Sequence, residues 1–351
     1  MRDQRKNDHI DIANRTKDGP LNSGYSDLHL INQSVPGLNM DEIDLTCRFL
    51  GKELNYPLMI NALTGGTDQA RRINKGLAEL AKKYGLAMAV GSQTIAIEDP
   101  GLRDSFRVVR EMNPEGLVIA NIGANSTVAQ ALQAIQMIEA DALQLHFNIP
   151  QELAMQEGDR DFKETRHNVE SIVAEIPVPV IAKEVGFGLS RESVMTLYDC
   201  GVRYFDNGGS GGTNFISIEA QRRGRLAGET IDWGIPSAAS LGEICSLDLP
   251  MTLIASGGIR SSLDAARALA MGADLIGMAG PLLKIFLNEG IDKLNNWMEE
   301  FLYALKSVFL MNAAKDLQEI KMHPLIITGL TAEWLSARGI DLGRWSNRNQ
   351  R

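Results

Sequence analysis

The chain has 351 residues, 44% of them hydrophobic, 23% charged and 33 of them glycine, which is long for one domain unless that domain is an α/β barrel with extensions. A net charge of −9 with no basic stripe interleaved with aromatics argues against nucleic acid as a partner. No run approaches 18 apolar residues, and the opening MRDQRKNDHI lacks an apolar core, so neither a membrane span nor a signal peptide is expected.

Residues 1–56 read as a polar extension ahead of the first apolar run. Eight short apolar runs then follow, at 57–62, 86–90, 117–121, 142–147, 178–183, 203–206, 251–255 and 275–278, each followed by glycine or polar residues. Continuous apolar runs alternating with helical patterns indicate parallel strands buried on both faces, and eight of them close a barrel where five or six would leave an open sheet. The predicted fold is therefore a TIM (β/α)8 barrel, one domain over 1–351, with its core at 57–281. Helical spacing marks 69–84, through Ile73, Leu77, Leu80 and Ala81 and stopped by Gly85; 126–140, with Ser126 as N-cap; and 263–271, capped by Ser261 or Ser262 and ended by Gly272. From Asn207 to about Met251 the rhythm breaks, and the length of that insertion predicts a functional loop, with the order of its 208–240 portion left open. Residues 282–351 read as two or three helices closing one end, the first amphipathic through Trp297, Phe301 and Leu302, and exposed apolar positions there argue for a homo-oligomer, with its size left open. Cys47, Cys200 and Cys245 are dispersed, without metal spacing or a disulfide framework, which points to a cytoplasmic location.

Chemistry in a barrel sits at the C-terminal ends of its strands. The seventh run ends at Ser256-Gly257-Gly258-Ile259-Arg260 and the eighth at Ala279-Gly280-Pro281. Two strands that stop at glycines before a helix suit a phosphate: backbone N–H groups can come close, and the helix N-terminus adds roughly half a positive charge. The other ends carry Thr64, Ser92, Asn121, His146, Lys183 and Asp206. Such a ring of amides, hydroxyls and one lysine fits a planar heterocycle bearing a phosphate. Period 2 directs His146 and Asn148 to one side, and Pro150 presents Gln151 and Glu152 at the start of the next helix. A carboxylate facing a phosphate makes sense through Mg²⁺, which Glu152 could hold. Lys183 could form a Schiff base or pair with an anionic cofactor, and the charged segment Arg5–His9 is either a solvated tail or a flap that supplies cations to a diphosphate.

Ten segments carry a resemblance: RKNDHI (5–10), LTGGT (63–67), VGSQ (90–93), ANIGA (120–124), QLHFNIPQE (144–152), EGD (157–159), KEVGFGLS (183–190), GGTNF (211–215), ASGGIR (255–260) and AGP (279–281). In this order and at these spacings the chain resembles the type 2, FMN-dependent isopentenyl-diphosphate delta-isomerases. The resemblance implies that Arg5, Lys6, His146, Asn148 and Gln151 bind a small diphosphate substrate. It implies FMN held by Ala62, Leu63, Thr64, Ser92, Asn121, Lys183 and Thr213, with its phosphate at Gly258, Arg260, Ala279 and Gly280. Glu152 would bind Mg²⁺, Gln151 would act in catalysis, and NADPH would serve only to reduce the flavin. The chain departs from the family pattern at Leu63, where Met is usual, at Thr94, where Arg is common, and at 207–210. An FMN-dependent hydroxy-acid oxidoreductase shares the barrel but wants a histidine near the end of the seventh strand, and none of His9, His29, His146, His167 or His323 lies there. A Schiff-base aldolase through Lys183 and a non-catalytic flavoprotein complete the alternatives.

Overall fold

A computed structural model describes residues 2–15, 21–223 and 230–348, and in it the eight apolar runs form a closed parallel barrel. Three short strands precede the barrel: β1 (Leu28–Leu30), β2 (Cys47–Phe49) and β3 (Lys52–Leu54). The eight staves are β4 (Leu58–Ile60), β5 (Ala87–Ala89), β6 (Val118–Gly123), β7 (Ala142–Phe147), β8 (Val180–Glu184), β9 (Tyr204–Asp206), β10 (Thr252–Ala255) and β11 (Leu275–Met278), with β11 pairing back onto β4. All fall within or beside the predicted runs, because strands buried on both faces leave an unbroken apolar signature.

The helices follow local chemistry. Helix Asp68–Tyr84 starts where the Thr67 side chain accepts from Ala70 N–H, and stops at Gly85, which takes the left-handed conformation (φ 63°). The predicted cap at Ser126 belongs instead to Thr127. It stands three residues before Gln130, so the two side chains can cap reciprocally, and the helix runs only over Val128–Met137. Ser261 caps Ser262–Met271 in the same way, through Asp264.

The segment read as one long loop holds two helices, Phe215–Arg223 and Ser237–Cys245. The second is built largely of small residues and is buried on all sides, so it has no polar face to give it a period. The N-terminal extension is also structured. β2 and β3 form a hairpin whose turn residues, Leu50 and Gly51, both have positive φ, as a two-residue hairpin loop requires. Phe49 and Leu54 of that hairpin pack with Met59, Ala87, Ile119, Ala142, Ile181, Ile254 and Leu275, closing the floor of the barrel with an apolar layer.

Beyond the barrel lie five helices (Gly280–Glu289, Ile291–Met311, Leu317–Met322, Gly329–Ala337 and Gly343–Ser346) and β12 (Leu325–Ile327). The long one buries Leu294, Met298, Phe301, Leu302 and Leu305, with Trp297 stacked on Phe301 at 5.1 Å. β12 pairs antiparallel with β1.

Candidate active site

Side chains along a strand alternate between the inside and outside of a barrel. Above the apolar floor the next inward position turns polar on six staves. Met59 gives way to Asn61, Ile119 to Asn121, Ala142 to Gln144 and then His146, Ile181 to Lys183, Tyr204 to Asp206, and Ile254 to Ser256. Strand register sets Asn121 beside Gln144, His146 beside Lys183, and Lys183 beside Asp206.

These groups satisfy one another, as buried polar atoms must. Asp206, fully buried, accepts from Asn61 Nδ2 at 2.6 Å, from Gly208 N–H at 3.3 Å and from Ser256 Oγ, and lies 3.3 Å from Lys183 Nζ. Gln144 Nε2 donates to Asn61 Oδ1 at 3.2 Å, while its Oε1 accepts from Asn121 Nδ2 at 3.0 Å. His146 Nδ1 lies 2.8 Å from Asn121 Oδ1. Burial, reinforced by the nearby cations Lys6 and Lys183, holds the His146 pKa down at about 3, so the ring is neutral. The neighbouring Glu184 carboxyl is pushed up to about 8 by burial, although its Oε2 accepts from Phe187 N–H at 2.5 Å and Gly188 N–H at 2.9 Å.

A cavity of about 530 Å³ opens above this layer, within the usual range of roughly 300–1,000 Å³ for small-molecule sites. It is lined by Ala62, Leu63 and Thr64 after β4, Ser92 after β5, Asn121 and His146 on β6 and β7, Asn148, Gln151 and Glu152 after β7, and Lys183 on β8. Thr213, Gly258, Arg260, Ala279 and Gly280 line its far side, and Lys6 its roof. Arg5 belongs to the same N-terminal helix as Lys6, but its side chain lies outside the described residues. Every other residue given a binding or catalytic role from the sequence lines this cavity, while Asp206 lies beneath it.

Local structure explains several of these placements. Gly258 has φ 86°, and a Cβ there would stand 2.3 Å from Gly211 O, so only glycine lets the two loops meet. Arg260 spans the same junction, donating to Gly258 O at 3.0 Å and Gly211 O at 2.6 Å. Helix Gly280–Glu289 begins at Ala279 and Gly280, so its N-terminus faces the cavity. The Thr64 hydroxyl is buried at the cavity wall with no hydrogen-bond partner among the described residues. Asn148 Nδ2 donates to Gln151 Oε1 at 3.1 Å and Glu152 Oε1 at 2.9 Å, and Glu152 Oε2 accepts from Asp159 N–H at 2.9 Å. Thr94 shares a hydrogen bond of 3.3 Å with Ser92 at the cavity wall.

The sequence left the N-terminal segment open as a solvated tail or a flap, and did not show that it is helical. The N-terminal helix Arg2–Arg15 packs against helices Phe215–Arg223 and Gly280–Glu289, with Lys6, His9, Ile10 and Ala13 facing the cavity and Ile10 buried. His9 Nε2 lies 2.6 Å from Glu219 Oε1, and burial keeps the His9 pKa below its ordinary value despite that carboxylate. Arg222 meets the other Glu219 oxygen at 2.6 Å and approaches Asp8 at 3.6 Å. The Glu219–Arg222 spacing on one helix was visible in the sequence; its partner, 210 residues away, was not.

No family model matches the chain. Among curated proteins, the isopentenyl-diphosphate delta-isomerase of Moorella thermoacetica is 48% identical over 337 residues, 96% of this chain and 97% of that protein. The proteins of the same name from Symbiobacterium thermophilum (45% over 362 residues, covering 100% and 99%) and Geobacillus sp. (45% over 348 residues, covering 99% of each) align along nearly their full lengths. Among solved structures, a putative lactate oxidase of Pediococcus acidilactici superposes with a TM-score of 0.69 at 16% identity, over 93% of each chain. A mandelate oxidase variant with the monooxide FMN adduct superposes with a TM-score of 0.63 at 13% identity, over 92% of each. At such identities the two oxidases share the barrel with this chain.

Proposed function

The chain belongs to the type 2 isopentenyl-diphosphate delta-isomerases, and from that premise we propose that the barrel-mouth cavity interconverts isopentenyl and dimethylallyl diphosphate with FMN as cofactor. The reaction moves a double bond without net redox, adding a proton at one carbon and removing one two carbons away. Reduced FMN, when bound, would supply an electron-rich plane to stabilise developing positive charge and an N5 position to exchange the proton.

The residues present suit that group. The buried Thr64 hydroxyl, Ser92 and Asn121 offer hydrogen bonds to a heterocycle edge. Lys183, anchored beneath by Asp206, offers a cation to an anionic ring. The Gly258 turn, Arg260 and the helix N-terminus at Ala279 and Gly280 make a phosphate seat. On the opposite wall Gln151 has its oxygen occupied by Asn148, leaving its NH2 for substrate or for relaying a proton. Lys6, with Arg5 on the same helix, His146 and Asn148 would hold the diphosphate. Among the described residues no three His, Cys, Asp or Glu side chains gather as a metal cage; Glu152 would hold Mg²⁺, which would offset the charge of the diphosphate. NADPH would serve only to bring the flavin to its reduced state, and the N-terminal helix would keep water from a carbocation-like species. Exposed Tyr303, Met311, Met322 and Leu330 on the C-terminal elements favour a homo-oligomer, a tetramer or octamer.

The observation that carries this reading is the meeting of all those side chains around one cavity, in a chain of this family. It is tested by following isopentenyl diphosphate with FMN and Mg²⁺ before and after reduction of the flavin. Conversion only after reduction is expected; no conversion in either state, with flavin bound, would redirect attention to hydroxy-acid oxidation. Gln151→Asn should lower turnover by about 10²-fold while leaving FMN affinity within about twofold of the parent, and unchanged turnover would remove Gln151 from the proton path.

A further inference from the structure

The polar layer over the barrel floor has a direction, and it starts at Asp206. Around that carboxylate stand only donors: Asn61 Nδ2, Gln144 Nε2 at 3.5 Å, Gly208 N–H, Ser256 Oγ and Lys183 Nζ. Asn61 is fixed from two sides, because its Oδ1 accepts the backbone N–H of Ala62 at 2.8 Å, and a backbone amide cannot be turned around. Asn61 Oδ1 and Asp206 Oδ2 thus both present acceptors to Gln144, so its Nε2 faces them and its Oε1 faces Asn121. Asn121 answers with Nδ2 and shows Oδ1 to His146 Nδ1. That nitrogen must carry the ring's proton. The ring is neutral for the reasons given above, so it has only that one proton and its Nε2 is a lone pair.

We propose that Asp206 is a positioning residue which, through Asn61, Gln144 and Asn121, fixes His146 in the Nδ1–H tautomer and makes its Nε2 a hydrogen-bond acceptor at the cavity. His146 then contributes no positive charge to a diphosphate. It holds the diphosphate by accepting from a protonated phosphate oxygen, and disfavours a bare phosphate oxygen at that spot. This use of the ring rests on the function proposed above; the tautomer itself does not.

The experiment is ¹⁵N–¹H NMR of histidine-labelled, FMN-bound full-length protein, with His146 assigned by its loss in His146→Asn. The parent should show the proton on Nδ1. Asp206→Asn introduces a donor where there was an acceptor, and Gln144→Met cuts the relay while leaving the Asp206–Lys183 pair in place. Each should shift the ring to the Nε2–H form or to a mixture, and Gln144→Met should raise the KM for isopentenyl diphosphate about tenfold with kcat within about twofold of the parent. A parent ring protonated on Nε2, or an unaltered Nδ1–H signal in folded Gln144→Met, would overturn the proposal. Gln144→Met decides the matter if Asp206→Asn does not fold. Failure of the parent to turn over isopentenyl diphosphate would count against the functional reading and leave the tautomer measurement standing.

Discussion

Glu184 shows what burial does to one side chain. Its pKa, held at about 8, stands well above that of an exposed glutamate, roughly 4.3. Between those values the folded chain keeps a proton that the unfolded chain has released, so stability falls as pH rises through that window and levels off above about 8. Glu184→Gln can still accept the Phe187 and Gly188 N–H groups but never titrates. In urea unfolding across this pH range the substitution should flatten the decline, and an unaltered slope would show that Glu184 is ionised in the fold. His146 acts in the other sense: with its pKa near 3, the unfolded chain takes up the proton first, and stability is lost as pH drops below roughly 6.5. At this scale the sequence reveals residues that interrupt an apolar strand near its end. Lys183, Asn121 and His146 stand out in that way. Gln144, two positions before His146 on the same face, and Asn61, after the first stave, did not stand out, and nothing in the sequence tells that they bond to one another, because the barrel brings their strands together. Glu219 and His9 meet only once the N-terminal helix is folded over the mouth.

The glycine turn after β10 is the element on which the phosphate seat depends. Gly258→Ala would place a methyl 2.3 Å from the Gly211 carbonyl at a φ of 86°, and such backbone strain costs of the order of 1–3 kcal/mol. Both obstacles are main chain, so relief requires the 209–212 loop or the turn to move. The variant should purify with much less flavin, read from its visible absorbance, and with a lowered melting temperature; full flavin content would show that the turn is not the phosphate seat. Elements were legible where local chemistry suffices. Thr67 and Gly85 bracket their helix, and the barrel strands announce themselves by unbroken apolar runs. The start at Thr127 was missed by one residue because reciprocal capping needs Gln130 three positions on. Helix Ser237–Cys245 was missed because burial on every face, with Glu243 taken up by Trp334 Nε1 at 2.8 Å and Arg338 Nε at 2.9 Å, leaves no amphipathic period to read.

For the molecule as a whole, eight runs sufficed to predict the barrel, and no helix among the described residues is long and apolar enough to cross a membrane. The barrel's two ends were harder to foresee. The hairpin that closes the floor is three residues per strand, and the β1–β12 pair is equally short. Strands of that length are too brief for alternation to show. The β1–β12 pair also has a consequence for how the protein is made. His29 and Thr328, hydrogen-bonded at 3.0 Å beside it, are 299 residues apart. At roughly 5–20 residues per second, a ribosome needs on the order of 15–60 s to supply the second strand after the first. The last stave, β11, ends at Met278 and β12 begins at Leu325, so the barrel can close only about 2–10 s earlier at that pace, while β1 waits with its edge unpaired; a nascent chain halted between those two strands would be a closed barrel with an open seam.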